Sequence, residues 1–510
     1  MIRTFYIGSF AILLLVALIG WFHPGFLWAY AVVGPLFLLG VWNTVQPQHI
    51  ILRNFPVLGY FRYAFEFISP EIQQYFIERN TDGRPFSREH RSLVYQRAKN
   101  VMDTIPFGTQ LHINASNYEG IRHTIYPKEV PADPPLVKIG GALCKKPYMA
   151  SLLNISAMSF GALSDRAVLA LNTGARKGGF YHNTGEGGLS PHHLQPGGDL
   201  VWQIGTGYFG CRDKHGDFDP ALFRTKVTQH HQVRMVEIKI SQGAKPGHGG
   251  VLPAVKNTPE IARIRHIEPH TTVLSPPGHS SFSDAAGLLR FVGQLRELSG
   301  GLPIGFKLCI GRTEEFTEIC EKMVETGMRP DFITVDGAEG GTGASPVEFT
   351  DSVGMPIEPA LMFVRRTLER FGLHGEIKII ASGKVITAAN LMKMLAMGAD
   401  LCNSARGFMF SLGCIQALRC NTNTCPTGIT THDRGLVRGI VVADKGERVF
   451  NFHRNTLLTL MELMAACGLD RVEDLNMGHF MRGDEFIKLA DRYFPDVLGD
   501  VMHASPGGTR

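Results

Sequence analysis

The chain has 510 residues, 44% hydrophobic and 19% charged, which is globular composition with ample material for a core and excludes a disordered or low-complexity protein. The net charge of +5 is spread without a lysine–arginine run, so no nucleic-acid partner is expected. The nine cysteines are odd in number and irregularly spaced, which speaks against a disulfide framework and for a reducing compartment with a metal or cluster site.

Residues 5–21 and 26–41 are apolar throughout, each near the short end of the about 17–25 residues that span a bilayer. His23-Pro24-Gly25 forms a turn between them, and Trp21, Trp28 and Trp42 fall where an interfacial aromatic belt would place them. Arg3 precedes the first run and Arg53 and Arg62 follow the second, so the positive-inside rule puts both ends in the cytoplasm. This predicts a transmembrane hairpin over residues 1–45, anchoring a cytoplasmic catalytic domain to the membrane. A cleaved signal peptide and a single interfacial hairpin are the rival readings, although no small-residue cleavage site follows Gly20.

Residues 46–148 read as a linker and N-terminal cap. Short helices packing beneath the next domain are expected, one of them running from a Ser87-Arg88-Glu89-His90 cap through Lys99. Pro127, Pro131, Pro134 and Pro135 make residues 107–147 edge strands or an extended arm.

Over residues 149–430 strand-like and helix-like runs alternate. Strands are expected at 151–155, 180–183, 236–240, 272–274, 304–308, 332–335, 377–381 and 401–403. Helices are expected at 165–177, 259–267, 284–298, 313–326, 359–371 and 388–397. The pattern is α/β and the strand count is that of a (β/α)8 TIM barrel. Residues 431–510 read as a C-terminal helical appendage, with one clear helix at 451–467 stopped by Gly468.

Active sites of such barrels sit at the C-terminal ends of the strands. The run VEIKISQGAKPGHGG, 236–250, leads a buried strand into a glycine-rich loop carrying Gln242 and Lys245. A cation on such backbone suits a carboxylate, and a solvated surface turn remains the plain alternative. Ser382-Gly383-Lys384 and Ser404-Ala405-Arg406-Gly407 supply glycine and a cation in the loops after strands seven and eight, where barrels bind phosphate. The G-x-G-x-x-G match at 205–210 opens no amphipathic helix, so no dinucleotide site is expected there.

Four ordered blocks carry a resemblance. They are SAMSFGALS with NTGEGG (156–188), SQGAKPGHGGVLPAVK followed by IARIR, DGAEGGTGASP (336–346) and CIQALRCNTNTC (414–425). Together they resemble the synthase domain of glutamate synthase across residues 95–475. The resemblance implies FMN, a 3Fe–4S cluster, and reduction to glutamate of the imine formed from 2-oxoglutarate and an amine source. It implies that Lys245 and Arg265 hold 2-oxoglutarate with Gln242 as a neighbouring polar contact, and that Glu186 is the acid–base or coupling residue. A water-poor pocket would raise the pKa of that carboxylate.

For the flavin the resemblance implies Met158 and Ser159 against the ring and Asn183 at its polar edge. Lys307 would stand near N1, with Gly341, Gly343, Ser382, Gly383, Lys384, Ala405 and Arg406 around the phosphate. Cys414, Cys420 and Cys425, spaced C-x5-C-x4-C, match the cluster loop. Zinc is the rival there, with His432 as a fourth ligand, but zinc favours closer cysteine pairs. The family's glutaminase and β-helix domains have no counterpart, so the resemblance supports flavin, cluster and imine reduction better than glutamine as nitrogen source. With no NAD(P)H site visible, ferredoxin or a separate reductase is the expected electron donor. The nitrogen source stays open between ammonia, glutamine through a partner, and methylamine. The alternatives are an N-methylglutamate synthase-like enzyme and a non-catalytic membrane-bound flavin and iron–sulfur redox protein.

Overall fold

The computed structural model describes residues 2–101 and 103–484, and the chain divides into two units, Met1–Arg88 and Glu89–Arg510. The first unit opens with helix Ile2–Phe22, a 3-10 turn at Pro24–Ala29 and helix Tyr30–Val45. Two glycines set how closely these helices pack. A Cβ at Gly40 would lie 2.1 Å from Phe5 Cζ, and one at Gly20 would lie 2.3 Å from Leu27 Cδ2. The Tyr6 hydroxyl meets Thr44 Oγ1 at 2.7 Å, so the start of the first helix lies beside the end of the second. The result is an apolar hairpin whose two halves, Ile2–Phe22 and Pro24–Val45, are each long and apolar enough to cross a membrane. Helices Ile50–Asn54 and Gly59–Ile72 and a single wide turn, Gln73–Ile77, follow it.

The second unit is built on a closed parallel barrel. Its strands are β1 (Leu153–Ile155), β2 (His182–Asn183), β3 (Leu200–Ile204), β4 (Val233–Lys239), β5 (Ile304–Leu308), β6 (Phe332–Asp336), β7 (Lys378–Ser382) and β8 (Leu401–Ser404). They pair in chain order, and β8 closes on β1 through Asn403 opposite Asn154. Such strands are buried on both faces, which is why they read as near-continuous apolar runs.

One strand expectation is corrected. Val273–Leu274 pairs antiparallel with Val251–Leu252 outside the barrel, and Leu200–Ile204 takes the place in the ring. Strands five to eight keep the numbering expected from sequence.

The N-terminal end of the barrel is plugged. Strands Val137–Ile139 and Tyr148–Ala150 form an antiparallel pair. Ile139, Tyr148 and Ala150 pack against Tyr181, Val201, Met235, Phe332, Ile380 and Leu401 in one buried cluster. Proline-rich residues 107–147 therefore contain two edge strands, Val137–Ile139 of this pair and Glu119–Ile121, which pairs with Phe480–Arg482. The long C-terminal helix, Val442–Ala466, begins earlier than its apolar periodicity indicated. It lies close against helix Asp165–Gly178, because a Cβ at Gly174 would meet Val449 Cγ1 at 2.4 Å. The remainder of the expected C-terminal appendage, residues 485–510, lies outside the described residues.

Candidate active site

Parallel register decides which side chains share a layer at the barrel mouth. Lys307 on β5 stands opposite Lys239 on β4, and Asp336 on β6 stands opposite Ser382 on β7. One layer deeper, the buried Glu237 carboxylate accepts from Asn183 Nδ2 at 2.8 Å, Gln203 Nε2 at 2.7 Å and Thr334 Oγ1 at 2.6 Å. Asn183, expected at the edge of a flavin, is thus turned into the barrel. Its Oδ1 also accepts from Gly185 N at 3.1 Å. The Glu237 oxygens are met by neutral donors, a buried polar network with its acceptors satisfied.

At the mouth the charge balance differs. Glu186, on the loop after β2, accepts from Lys239 Nζ at 2.7 Å. Arg265 and Lys245 also act on it electrostatically. Burial alone would raise the Glu186 pKa, but Lys239, Arg265 and Lys245 together hold it below the usual carboxylate range. The expectation of a raised pKa is therefore corrected: three cations outweigh desolvation.

Two glycines make room for this carboxylate. A Cβ at Gly250 would lie 2.7 Å from Glu186 Oε1, and one at Gly205 would lie 2.8 Å from Oε2. Gly205 belongs to the G-x-G-x-x-G match, whose next helix starts only at Pro220.

Lys245 is buried, and its ammonium donates to Gly249 O at 2.9 Å and Ala344 O at 3.0 Å. Burial and the neighbouring Lys239 lower its pKa to about 8, although Glu186 acts the other way. Gln242 sits in the same turn, its carbonyl accepting from Lys245 N at 3.2 Å.

Arg265 ends helix Pro259–Arg265 and is buried. It donates to Phe160 O at 3.0 Å and to Ser159 Oγ at 3.4 Å, and stacks 5.0 Å above the Phe209 ring. Burial lowers its pKa to about 10, and Glu186 opposes that shift. Its Nε is buried without a hydrogen-bond partner. Two further glycines admit the guanidinium, since a Cβ at Gly161 or Gly187 would come within 2.8 or 2.9 Å of Nη2. Met158, beside Ser159, is buried.

Lys307 pairs with Asp336 at 3.3 Å, and Asp336 also accepts from Gly243 N at 2.8 Å. Ser382, Gly383 and Lys384 follow β7, with Lys384 in the left-handed region at φ 49°. Ala405 precedes helix Arg406–Leu412. Arg406 donates to Glu339 O at 2.8 Å, and burial lowers its pKa to about 10 against the pull of Asp336 and Glu339. The glycine loop after β6 lies between two other groups: a Cβ at Gly341 would be 2.9 Å from Arg406 Nη1, and one at Gly343 would be 3.2 Å from Cys420 Cβ.

Cys414, Cys420 and Cys425 lie within electrostatic reach of one another, yet among the described residues no three His, Cys, Asp or Glu side chains are gathered round one point as for a metal ion. Burial pushes Cys414 up to about 12 and raises Cys420. Burial acts the same way on Cys425, but donors from Thr427 and Thr430 reverse it and leave that thiol below its ordinary value. His432, the fourth ligand a zinc site would need, directs Nε2 at the Gly161 carbonyl, 3.0 Å away.

Two cations here were missing from the sequence-based site. Lys239 pairs with Glu186, and Lys256 donates to Ala162 O at 2.9 Å and Cys420 O at 3.1 Å. The signal for Lys239 was present, since a charge at every second position of VEIKI points inward. Lys256 follows an irregular LPAV run, and nothing local marks it as buried.

Residues 114–470 match the conserved region in glutamate synthase. The glutamate synthase large subunit-like protein YerD of Bacillus subtilis is 39% identical over 466 residues, spanning 83% of this chain and 88% of its own. The archaeal glutamate synthase (NADPH) of Methanocaldococcus jannaschii is 35% identical over 323 residues, 63% of this chain and 60% of its own. The recombinant flavin-binding domain of baker's yeast flavocytochrome b2 is similar with a TM-score of 0.43 at 13% identity, covering 88% of this chain and 92% of that one. This chain belongs to the glutamate synthase family and is an oxidoreductase of the glutamate synthase type.

Proposed function

We propose that the chain reduces the imine formed from 2-oxoglutarate and an amine, giving glutamate or its N-substituted form, with FMN and a 3Fe–4S cluster as cofactors. The observation that carries this reading is the excess of buried positive charge around Glu186, where Lys239, Lys245 and Arg265 face one carboxylate. A dicarboxylate dianion would balance it. Arg265 is the better-built anchor, because its planar fork is held rigid by Phe160 and Phe209. Of the three N–H donors of Lys245, two are directed at Gly249 and Ala344, leaving one for a substrate oxygen. Gln242 would orient the same carboxylate.

Glu186 is ionised in the free protein. Once substrate carboxylates engage Lys245 and Arg265, the cations act less on Glu186, its proton affinity rises, and it can carry a proton at Oε2 to or from the substrate nitrogen.

The flavin candidates fit a phosphate-bearing ring in their chemistry. Gly341 lies against Arg406, where a side chain would fill the space, and Gly383 and Lys384 follow the C-terminal end of β7. FMN, when bound there, would supply the hydride. Cys414, Cys420 and Cys425 offer three soft ligands on one loop, beside the glycine loop that also touches Arg406, and a 3Fe–4S cluster held by them would supply single electrons. Ferredoxin or a separate reductase is the donor in this reading. The N-terminal hairpin is read as spanning the membrane, with both ends and the barrel in the cytoplasm.

Anaerobic purification followed by absorption and EPR spectra tests both cofactors at once. Reduced protein should be reoxidised by 2-oxoglutarate with ammonium, and methylamine in its place separates the N-methylglutamate variant. A flavoprotein that neither combination reoxidises would overturn the enzymatic reading.

A further inference from the structure

Helix Gly59–Ile72 and the turn after it carry an apolar stripe that nothing among the described residues covers. Leu58, Phe61, Phe65, Ile68, Ile72 and Phe76 recur at the three- and four-residue spacing that puts side chains on one helical face. Each is exposed, from 37% at Ile72 to 84% at Phe76. An isolated exposed phenylalanine is ordinary, but a continuous row of six large apolar groups marks a contact surface. The edge beside it is polar: Arg62 pairs with Glu66 at 2.9 Å, and Ser69 and Gln73 continue the line.

The first turn of this helix is tied to the foot of the apolar hairpin. Asn43, buried at the end of the second hairpin helix, donates to Pro56 O at 2.5 Å and accepts from the Tyr60 hydroxyl at 3.3 Å. Gln46 Nε2 donates to Asn43 O at 3.1 Å and His49 O at 2.9 Å, and Gln46 Oε1 accepts from His49 N at 2.7 Å. Gly59 lets the chains touch, since a Cβ there would meet Leu52 Cδ2 at 2.9 Å. The stripe is therefore held at the level where an apolar hairpin of spanning length must leave the hydrocarbon.

We propose that residues 58–76 lie in the membrane–water interface, with Phe61, Phe65, Ile68 and Ile72 sunk among the lipid acyl chains and Arg62 and Glu66 in the headgroup layer. The occupant of the stripe is the bilayer that holds the hairpin, and the inference rests on the reading of that hairpin as membrane-spanning. An amphipathic helix lies in this plane with its apolar face about 5–10 Å into the headgroup–acyl boundary. The consequence is a stiff, two-part anchor: the hairpin sets the depth and the helix lies flat on the surface.

The test uses the full chain with Trp21, Trp28 and Trp42 replaced by phenylalanine. Trp202 stays, because it is fully buried in the barrel. Single reporters are added as Phe65→Trp on the stripe, Phe67→Trp about 200° away round the helix, and Leu15→Trp within the hairpin. Each protein is reconstituted in phosphatidylcholine–phosphatidylglycerol vesicles whose acyl chains carry bromine, at a shallow or a deep position. The reporter at 65 should lose most of its emission to shallow bromines and little to aqueous iodide, and the reporter at 67 should lose little to either bromine. Strong iodide quenching at 65 would place the stripe in water and overturn the proposal. Shielding at 65 from both bromine and iodide would mean a protein surface, such as a second copy, and would overturn it too. Deep-bromine quenching at 15 reads the hairpin separately, so loss of that signal alone removes the spanning reading without being confused with the result at 65.

Discussion

The two ends of the barrel are made of the same strands and differ in almost every physical respect. At the N-terminal end Ile139, Tyr148, Ala150, Val201, Met235, Phe332, Ile380 and Leu401 close on one another as an apolar plug. At the C-terminal end Lys239, Lys245, Arg265, Lys307 and Arg406 gather, with Glu186, Asp336 and Glu339 as acids acting on them. Buried like charges cost stability unless something balances them. The plug end carries the stability, and the mouth holds an imbalance that a ligand can relieve. In β/α barrels this division of labour follows the strand direction.

The largest expected effect lies at the plug. Phe332→Ala should lower unfolding stability by about 3–5 kcal/mol, because it leaves a cavity in a fully buried cluster. Denaturant melts followed by circular dichroism would measure it. Affinity for 2-oxoglutarate, from flavin-spectrum titration, should stay within error in the folded fraction. A matching fall in affinity would show that the two ends are mechanically coupled and break the comparison.

A smaller, opposite effect is expected at the mouth. Lys245→Met keeps the length of the side chain and removes its charge. Losing one charge-assisted hydrogen bond of about 1.5–3 kcal/mol should weaken 2-oxo acid binding roughly ten- to a hundred-fold. Flavin content should remain near that of the parent protein, because Lys384 and Arg406 lie on other loops. Equal affinity in the two proteins would remove this lysine as an anchor, and loss of flavin would move it to the cofactor.

The smallest effect is in pH. The Lys245 ammonium, with its pKa lowered to about 8, is charged below that pH and loses its proton above it. The kcat/KM for the oxo acid reports the free enzyme and should fall as pH rises through about 8, by up to about tenfold per unit. Arg265, lowered only to about 10, stays charged over the same window. The Lys245→Met protein should show no such limb, and one persisting there would assign the titration to another group.

Much of this site was legible beforehand because its signals are local. Glycine and lysine in one loop, or three cysteines within twelve residues, announce themselves wherever the chain goes. The strand at Leu200–Ile204 escaped because a short buried apolar run has no periodicity to separate it from a loop or a helix. The run at 272–274 looked equally strand-like, and only its pairing with Val251–Leu252 shows that it stands outside the ring. Asn183 was read at the end of its strand facing a flavin edge, and nothing local indicated that its side chain also meets Glu237, fifty-four residues away.

What the sequence by itself determined is the alternation of strand and helix, the apolar length of the N-terminal hairpin, and which residue types stand at strand ends. Each depends on neighbours within a turn or two. Only the tertiary structure decided that Lys239, Lys245 and Arg265 share Glu186, that Lys256 reaches the Cys420 carbonyl, and that the stripe from Leu58 to Phe76 is left bare among the described residues. Charge balance and burial are sums over groups distant in the chain, and barrel closure is what brings those groups together.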